Sequence, residues 1–159
     1  MKVIFLDVDG VLNFKGCKAR CGYYLGVDDG KTHLLAKIVR KTGAKIVLVS
    51  TWKENWYPAQ RKNEQDYMAD YLDERLAAAG LFIYDKTPDV ADGQYLGRGE
   101  GIVEYVHGHG VSGFAILDDC QFDYDACDLT DFWVATDERV GLTQANVDKA
   151  IDLIEKGWQ

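Results

Sequence analysis

Short apolar runs separated by longer helical patterns limit this chain to few architectures. Val3–Leu6, Ile46–Val49, Phe114–Leu117 and Phe132–Ala135 are brief and rich in β-branched or aromatic residues, with Leu81–Tyr84 a fifth, less apolar run. Runs of this kind suit strands buried on both faces. Between them lie helical patterns. Thr32–Lys41 carries Leu34, Leu35, Ile38 and Val39 on one side, and Asn63–Ala79 begins on a capping residue and stops before Gly80. Glu100–His107 is a short helix, and Thr143 opens a last one whose inner face is Val147, Ile151 and Ile154. Strands alternating with helices predict an α/β fold: a three-layer, doubly wound, Rossmann-like parallel sheet. The 159 residues fit a single domain spanning 1–159.

In such sheets the ligand site lies beyond the carboxyl ends of the strands. That rule collects Asp7 and Asp9 after the first run, Ser50, Thr51, Trp52 and Lys53 after the second, and Asp118 and Asp119 after Phe114–Leu117. Carboxylates this close repel one another, and burial raises the cost. A hard divalent cation such as Mg2+, which takes carboxylate oxygens and keeps its waters, is the natural neutraliser. Hydroxyls and a basic residue opposite are groups that hold phosphate oxygens.

Composition narrows the partners. A net charge of -8, from 18 basic and 26 acidic residues, opposes broad binding to nucleic acid. It leaves open a site where a cation meets a phosphate. No apolar run is long enough to span a bilayer, and "MKVIFLDVDG" reads as a first strand rather than a signal peptide. The expectation is a cytoplasmic protein. Cys17, Cys21, Cys120 and Cys127 read as free thiols; a zinc site from all four is the alternative, against their spacing.

"DVDGVLN … STWK … RGEGI … ILDD … GLT" resembles the haloacid dehalogenase (HAD) superfamily of phosphotransferases over roughly residues 2 to 155. It is similar to a compact subgroup, some of whose members are attached to nucleic-acid repair proteins. The resemblance implies that Asp7 is the nucleophile, forming an aspartyl-phosphate, and that Asp9 is the general acid and then the base, its backbone carbonyl also touching the metal. It implies Ser50, with Thr51 close behind, as the phosphate-binding hydroxyl. Asp119 becomes the third metal carboxylate, with Asp118 alongside. For the cation, Arg98 in "GRGEGI" stands against Lys86 in "YDKTP". Gly10 serves the turn after the strand and the phosphate loop. Asp123 completes a DDxxxD spacing and reads as local structure that orients its loop.

Only 40 residues separate Asp9 from Ser50, too few for an inserted domain beside a helix and a strand. The site is therefore expected to be capless or nearly so, with Phe14–Gly30 as a loop or hairpin over it. Such a site admits bulky substrates, or a partner copy in a homo-oligomer closes it. Trp52 and Trp56 flank Lys53, where they could stack on a flat group while Lys53 meets a second phosphate. The expected activity is a magnesium-dependent phosphomonoesterase acting on a nucleotide or a terminal phosphate. The alternative is a catalytically degenerate phosphate-binding module or a subunit of a repair complex.

Overall fold

The computed structural model describes residues 1–158. Its centre is a five-stranded sheet of β1 (Lys2–Leu6), β4 (Lys45–Leu48), β5 (Ile83–Lys86), β8 (Gly113–Asp118) and β9 (Trp133–Ala135), in the order β5-β4-β1-β8-β9. Every pairing is parallel. The central strand β1 pairs Ile4 with Ile46 on one side and with Ala115 on the other. Val3 to Leu6 are fully buried, as the unbroken apolar run requires.

Alternation along the strands sorts the core into two layers. Ile4, Leu6, Ile46, Leu48, Ala115 and Leu117 face α1 (Asp29–Thr42), α2 (Tyr67–Ala77) and α4 (Gln144–Lys156) through Leu35, Ile38, Leu72, Leu76, Val147 and Ile154. Val3, Phe5, Val47, Phe114 and Ile116 face α3 (Arg98–Gly108) through Ile102, Tyr105 and Val106. Helices thus cover both faces, giving the three layers that the sequence implies. In place of a cap, the structure has two small hairpins: β2 (Arg20–Cys21) with β3 (Tyr24–Leu25), and β6 (Val90–Ala91) with β7 (Gln94–Tyr95).

Several boundaries move for local reasons. Helix α1 starts three residues before Thr32 because Asp28, not a later residue, accepts from Lys31 N. Asn63 does not cap a helix. It lies in a 3-10 turn, Ala59–Glu64, and α2 starts at Tyr67, where Asp66 accepts from Ala69 N. The fifth strand lies at Ile83–Lys86 rather than Leu81–Tyr84, because Asp85 and Lys86 pair with Val47 and Leu48 at the sheet edge. A 3-10 turn, Thr130–Phe132, takes the first residue of the last expected strand.

The chain leaves β1 toward β4 and returns through α3 to β8 on the opposite side of β1. The order therefore reverses between β1 and β8, which is where a parallel sheet opens a crevice.

Candidate active site

Asp7 and Asp118 stand at that reversal. Asp7 follows β1, its N–H donating to Leu117 O at 2.9 Å, and Asp118 ends β8. Asp7, Asp118 and Asp119 each place a carboxylate oxygen within 4.8 Å of the others. Burial pushes the Asp7 carboxyl up to about 8; Asp118 and Asp119 add to the rise, and Arg98 opposes it. Asp119 is pushed up as well, by burial first and then by Asp118. The donor set is carboxylate oxygen alone, which suits a hard cation. Asp118 is already committed. Its Oδ1 accepts from Cys120 N at 3.0 Å, and its Oδ2 from Arg98 Nη1 at 2.8 Å and the Tyr124 hydroxyl at 2.6 Å. Asp7 and Asp119 are the better placed to hold a metal.

Arg98 opens α3 and reaches into the crevice. Its Nη1 lies 3.2 Å from Asp7 Oδ1 while bonding Asp118 Oδ2. Burial would lower its basicity, but Asp7 and Asp118 outweigh that and raise it, so it stays charged. The guanidinium lies over the Phe122 ring, 4.0 Å from its centroid, a cation–π contact. Phe122 holds φ of 48°, a costly conformation for a bulky residue.

The start of α3 is held by Asp123. Helix N-termini leave amides without partners, and Gly97 at the cap has no side chain to offer. Asp123 Oδ1 accepts from Gly99 N at 2.7 Å and Oδ2 from Glu100 N at 3.3 Å. A Cβ on Gly97 would collide with Asp123 Oδ2, which explains glycine there.

Asp9 is not part of the three-carboxylate cluster; it lines an open cleft of about 540 Å3 together with Gly10, Asn13, Tyr24, Thr51, Trp52 and Asp119. Gly10, at φ of 80°, passes so close to Asp119 that a Cβ would clash with that carboxylate. Its N–H is spent on Asn13 Oδ1 at 2.9 Å. Ser50 is buried, its Oγ accepting from Trp52 N at 3.2 Å, which leaves the hydroxyl proton free to donate. Ser50, Thr51, Lys53 and Arg98 share the wall of a second pocket of about 190 Å3.

A sequence model of the HAD domain in Swiss Army Knife RNA repair proteins matches residues 3–147. The chain belongs to that family. No curated protein matches it. Membership places the chain among HAD-type domains with phosphatase-type chemistry or phosphate binding.

Two expectations for this HAD domain are corrected. Trp52 and Trp56 are buried, their indole N–H groups donating to Asp9 Oδ2 at 3.2 Å and Asp73 Oδ1 at 3.0 Å. Neither ring is presented at the surface as a stacking platform. Lys53 is not held out for a second phosphate: its Nζ bonds Thr87 O and Thr87 Oγ1 and pairs with Asp89 at 2.8 Å. Lys86 lies outside the crevice, its Nζ donating to Lys53 O at 2.8 Å and Trp56 O at 2.7 Å. Burial lowers its basicity. It fastens the loop after β4, whereas Arg98 meets Asp7.

Tyr124, Phe122 and Asn13 also belong to the site. Asn13 stood inside the "DVDGVLN" signature, and Tyr124 follows Asp123 directly, but neither contact partner was readable from spacing. All four cysteines are free thiols. Among the described residues no helix is long and apolar enough to cross a membrane.

Proposed function

We propose that this HAD domain is a magnesium-dependent phosphomonoesterase acting through an aspartyl-phosphate on Asp7. The observation that carries the reading is the surroundings of Asp7. It is a carboxylate at the sheet's reversal point, beside Arg98 and Asp119, with Asp9 two residues on and facing an open cleft. Ionised Asp7 attacks phosphorus while Asp9 gives its proton to the departing oxygen. Asp9 then takes a proton from water, which attacks the same phosphorus and frees Asp7. Ser50, Thr51 and Arg98 hold the phosphoryl oxygens. Asp7 and Asp119 would hold magnesium, with Asp118 behind them; when bound, the ion offsets the charge on Asp7 and on the phosphoryl group.

The substrate fits a nucleotide or the terminal phosphate of a larger molecule. Support comes from the open cleft, whose wall includes Tyr24 and Leu25 of the β2–β3 hairpin, and from a family named for RNA repair. The net charge of -8 weighs against a long nucleic acid lying across the surface. Phosphate release should be measured with magnesium and with EDTA on nucleotides, sugar phosphates, phosphopeptides and phosphorylated oligonucleotides, for wild type and Asp7→Asn. Magnesium-dependent release by wild type alone is expected. Release by Asp7→Asn at the wild-type rate would remove the covalent mechanism. Phosphate binding without release would favour the alternative, a phosphate-binding subunit of a repair assembly.

A further inference from the structure

Both oxygens of Asp9 are held by nitrogen donors to which the proposed mechanism gives no role. Asn13 Nδ2 donates to Oδ1 at 2.9 Å, and Trp52 Nε1 donates to Oδ2 at 3.2 Å. Asp9 itself is exposed, so burial does not orient it. The two donors do, and both belong to buried side chains, with Asn13 1% and Trp52 6% exposed.

The Asn13 amide has no freedom left. Its second hydrogen goes to Gly26 O at 3.0 Å, and its Oδ1 accepts from Gly10 N at 2.9 Å. Rotating the group would break bonds on three sides. Gly26 directly follows β3, so the side chain that holds Asp9 is also fastened to the base of the β2–β3 hairpin. Trp52 reaches the same base by another route. Its ring lies against Tyr71 with centroids 6.4 Å apart, and the Tyr71 hydroxyl accepts from Val27 N at 3.0 Å.

We infer that Asn13 and Trp52 are positioning residues that aim Asp9 for proton transfer, and that Asn13 ties this aim to the hairpin that lines the cleft. The inference rests on the phosphatase reading. As Asp7 bonds to phosphorus, the bond from phosphorus to the leaving oxygen breaks and that oxygen keeps the electron pair. The proton of Asp9 passes to it, and Asp9 becomes a carboxylate. The N–H groups of Asn13 and Trp52 stabilise this charge as it forms, since hydrogen bonds to an ionised acceptor are the stronger ones. In the second half the Asp9 carboxylate takes a proton from the attacking water, and the bond between Asp7 and phosphorus breaks. Each Asp9 oxygen keeps a second lone pair beside its N–H donor, so a proton can be carried without losing either holder.

Leaving-group dependence separates this role from simple support of the turn. The para-nitrophenyl oxygen departs as a stable anion and needs no proton, whereas an alkyl oxygen does. kcat/KM for para-nitrophenyl phosphate and for the alkyl phosphate turned over fastest should be measured for wild type, Asn13→Ala and Trp52→Phe. Each variant is expected to lose about tenfold or more on the alkyl phosphate and less than about threefold on the aryl one, out of the roughly 10²–10⁴ that proton transfer supplies. Trp52→Phe removes one N–H and keeps an aromatic ring, so it carries the test if Asn13→Ala does not fold. Equal losses on both substrates would overturn the positioning role and leave the phosphatase reading standing. No phosphate release by wild type from either substrate would overturn both.

Discussion

Arg98 joins Asp7 to Asp118: one nitrogen, Nη1, lies 3.2 Å from the first carboxylate and 2.8 Å from the second. The fully buried Asp118 fixes that nitrogen through Oδ2, which also accepts from the Tyr124 hydroxyl. Arg98 is thereby held beside Asp7 by a carboxylate that is itself shut off from solvent. A buried carboxylate at the end of a central strand thus serves to place a cation.

Arg98→Ala is expected to lower kcat/KM by about a hundredfold, the loss typical of one charged transition-state contact. Lys86→Ala should stay within about threefold in rate and lower the melting temperature instead, because its ammonium holds the carbonyls of Lys53 and Trp56. Steady-state kinetics and thermal melts of both variants check this. A crippled Lys86→Ala beside a near-normal Arg98→Ala would move the catalytic cation to the other loop.

Asp7 also makes a prediction about pH. Its folded carboxyl sits up at about 8, against an unfolded value near the ordinary 4. Between those values the native state holds a proton that the unfolded chain has lost. Stability of the metal-free protein therefore falls as pH rises through this window, from roughly pH 4 to pH 8. Asp119, also pushed up, works in the same direction. Asp7→Asn removes the penalty, so its melting temperature in EDTA should exceed that of wild type at about pH 8, by roughly 2–4 °C for each kcal/mol relieved. The gap should close toward about pH 5, where the native carboxyl is protonated. A wild type that melts higher than the variant at the alkaline end would contradict the placement of Asp7 among like charges.

Magnesium should reverse that penalty. A ligand bound only by the folded state stabilises it by about 2.7 kcal/mol at a hundred times its dissociation constant. Thermal melts across a magnesium titration should rise for wild type and rise much less for Asp119→Asn, which removes one carboxylate of the three-residue cluster. Superimposable titrations of the two proteins would take Asp119 out of the metal site.

The sheet was readable because its strands are unbroken apolar runs, and β1 keeps all four of its inner residues fully buried. Edge strand β5 is offset from its apolar run because its outer half, Asp85 and Lys86, is polar, and pairing with β4 rather than hydrophobicity sets its position. The meeting of Asp7, Asp118 and Asp119 followed from the rule that sites form beyond strand ends. What spacing did not reveal was the direction of side chains. Trp52 and Trp56 turn inward because their indole N–H groups have carboxylates to reach. Lys53 turns toward Thr87 and Asp89, on a loop more than 30 residues away, a contact that exists only once β5 is in the sheet.

Asp123 gives the last prediction, because two roles for it diverge in measurement. It stands at the end of a DDxxxD spacing, where a metal ligand is conceivable, yet its oxygens accept from Gly99 N and Glu100 N at the start of α3. Among the described residues the metal-type cluster is Asp7, Asp118 and Asp119, without it. The residue between Gly97 and Gly99 is Arg98, so loosening this helix start displaces the guanidinium from Asp7. Asp123→Ala is expected to cost about 0.5–2 kcal/mol of stability, the worth of a helix cap. It should also lower kcat by roughly tenfold through Arg98, since small misplacements of a positioned group are costly. Asp123→Asn keeps one carbonyl acceptor and should recover part of both losses. The magnesium midpoint, followed by thermal shift, should be the same in all three proteins. A tenfold weaker magnesium midpoint for Asp123→Ala with an unchanged melting temperature in EDTA would instead make Asp123 a metal ligand.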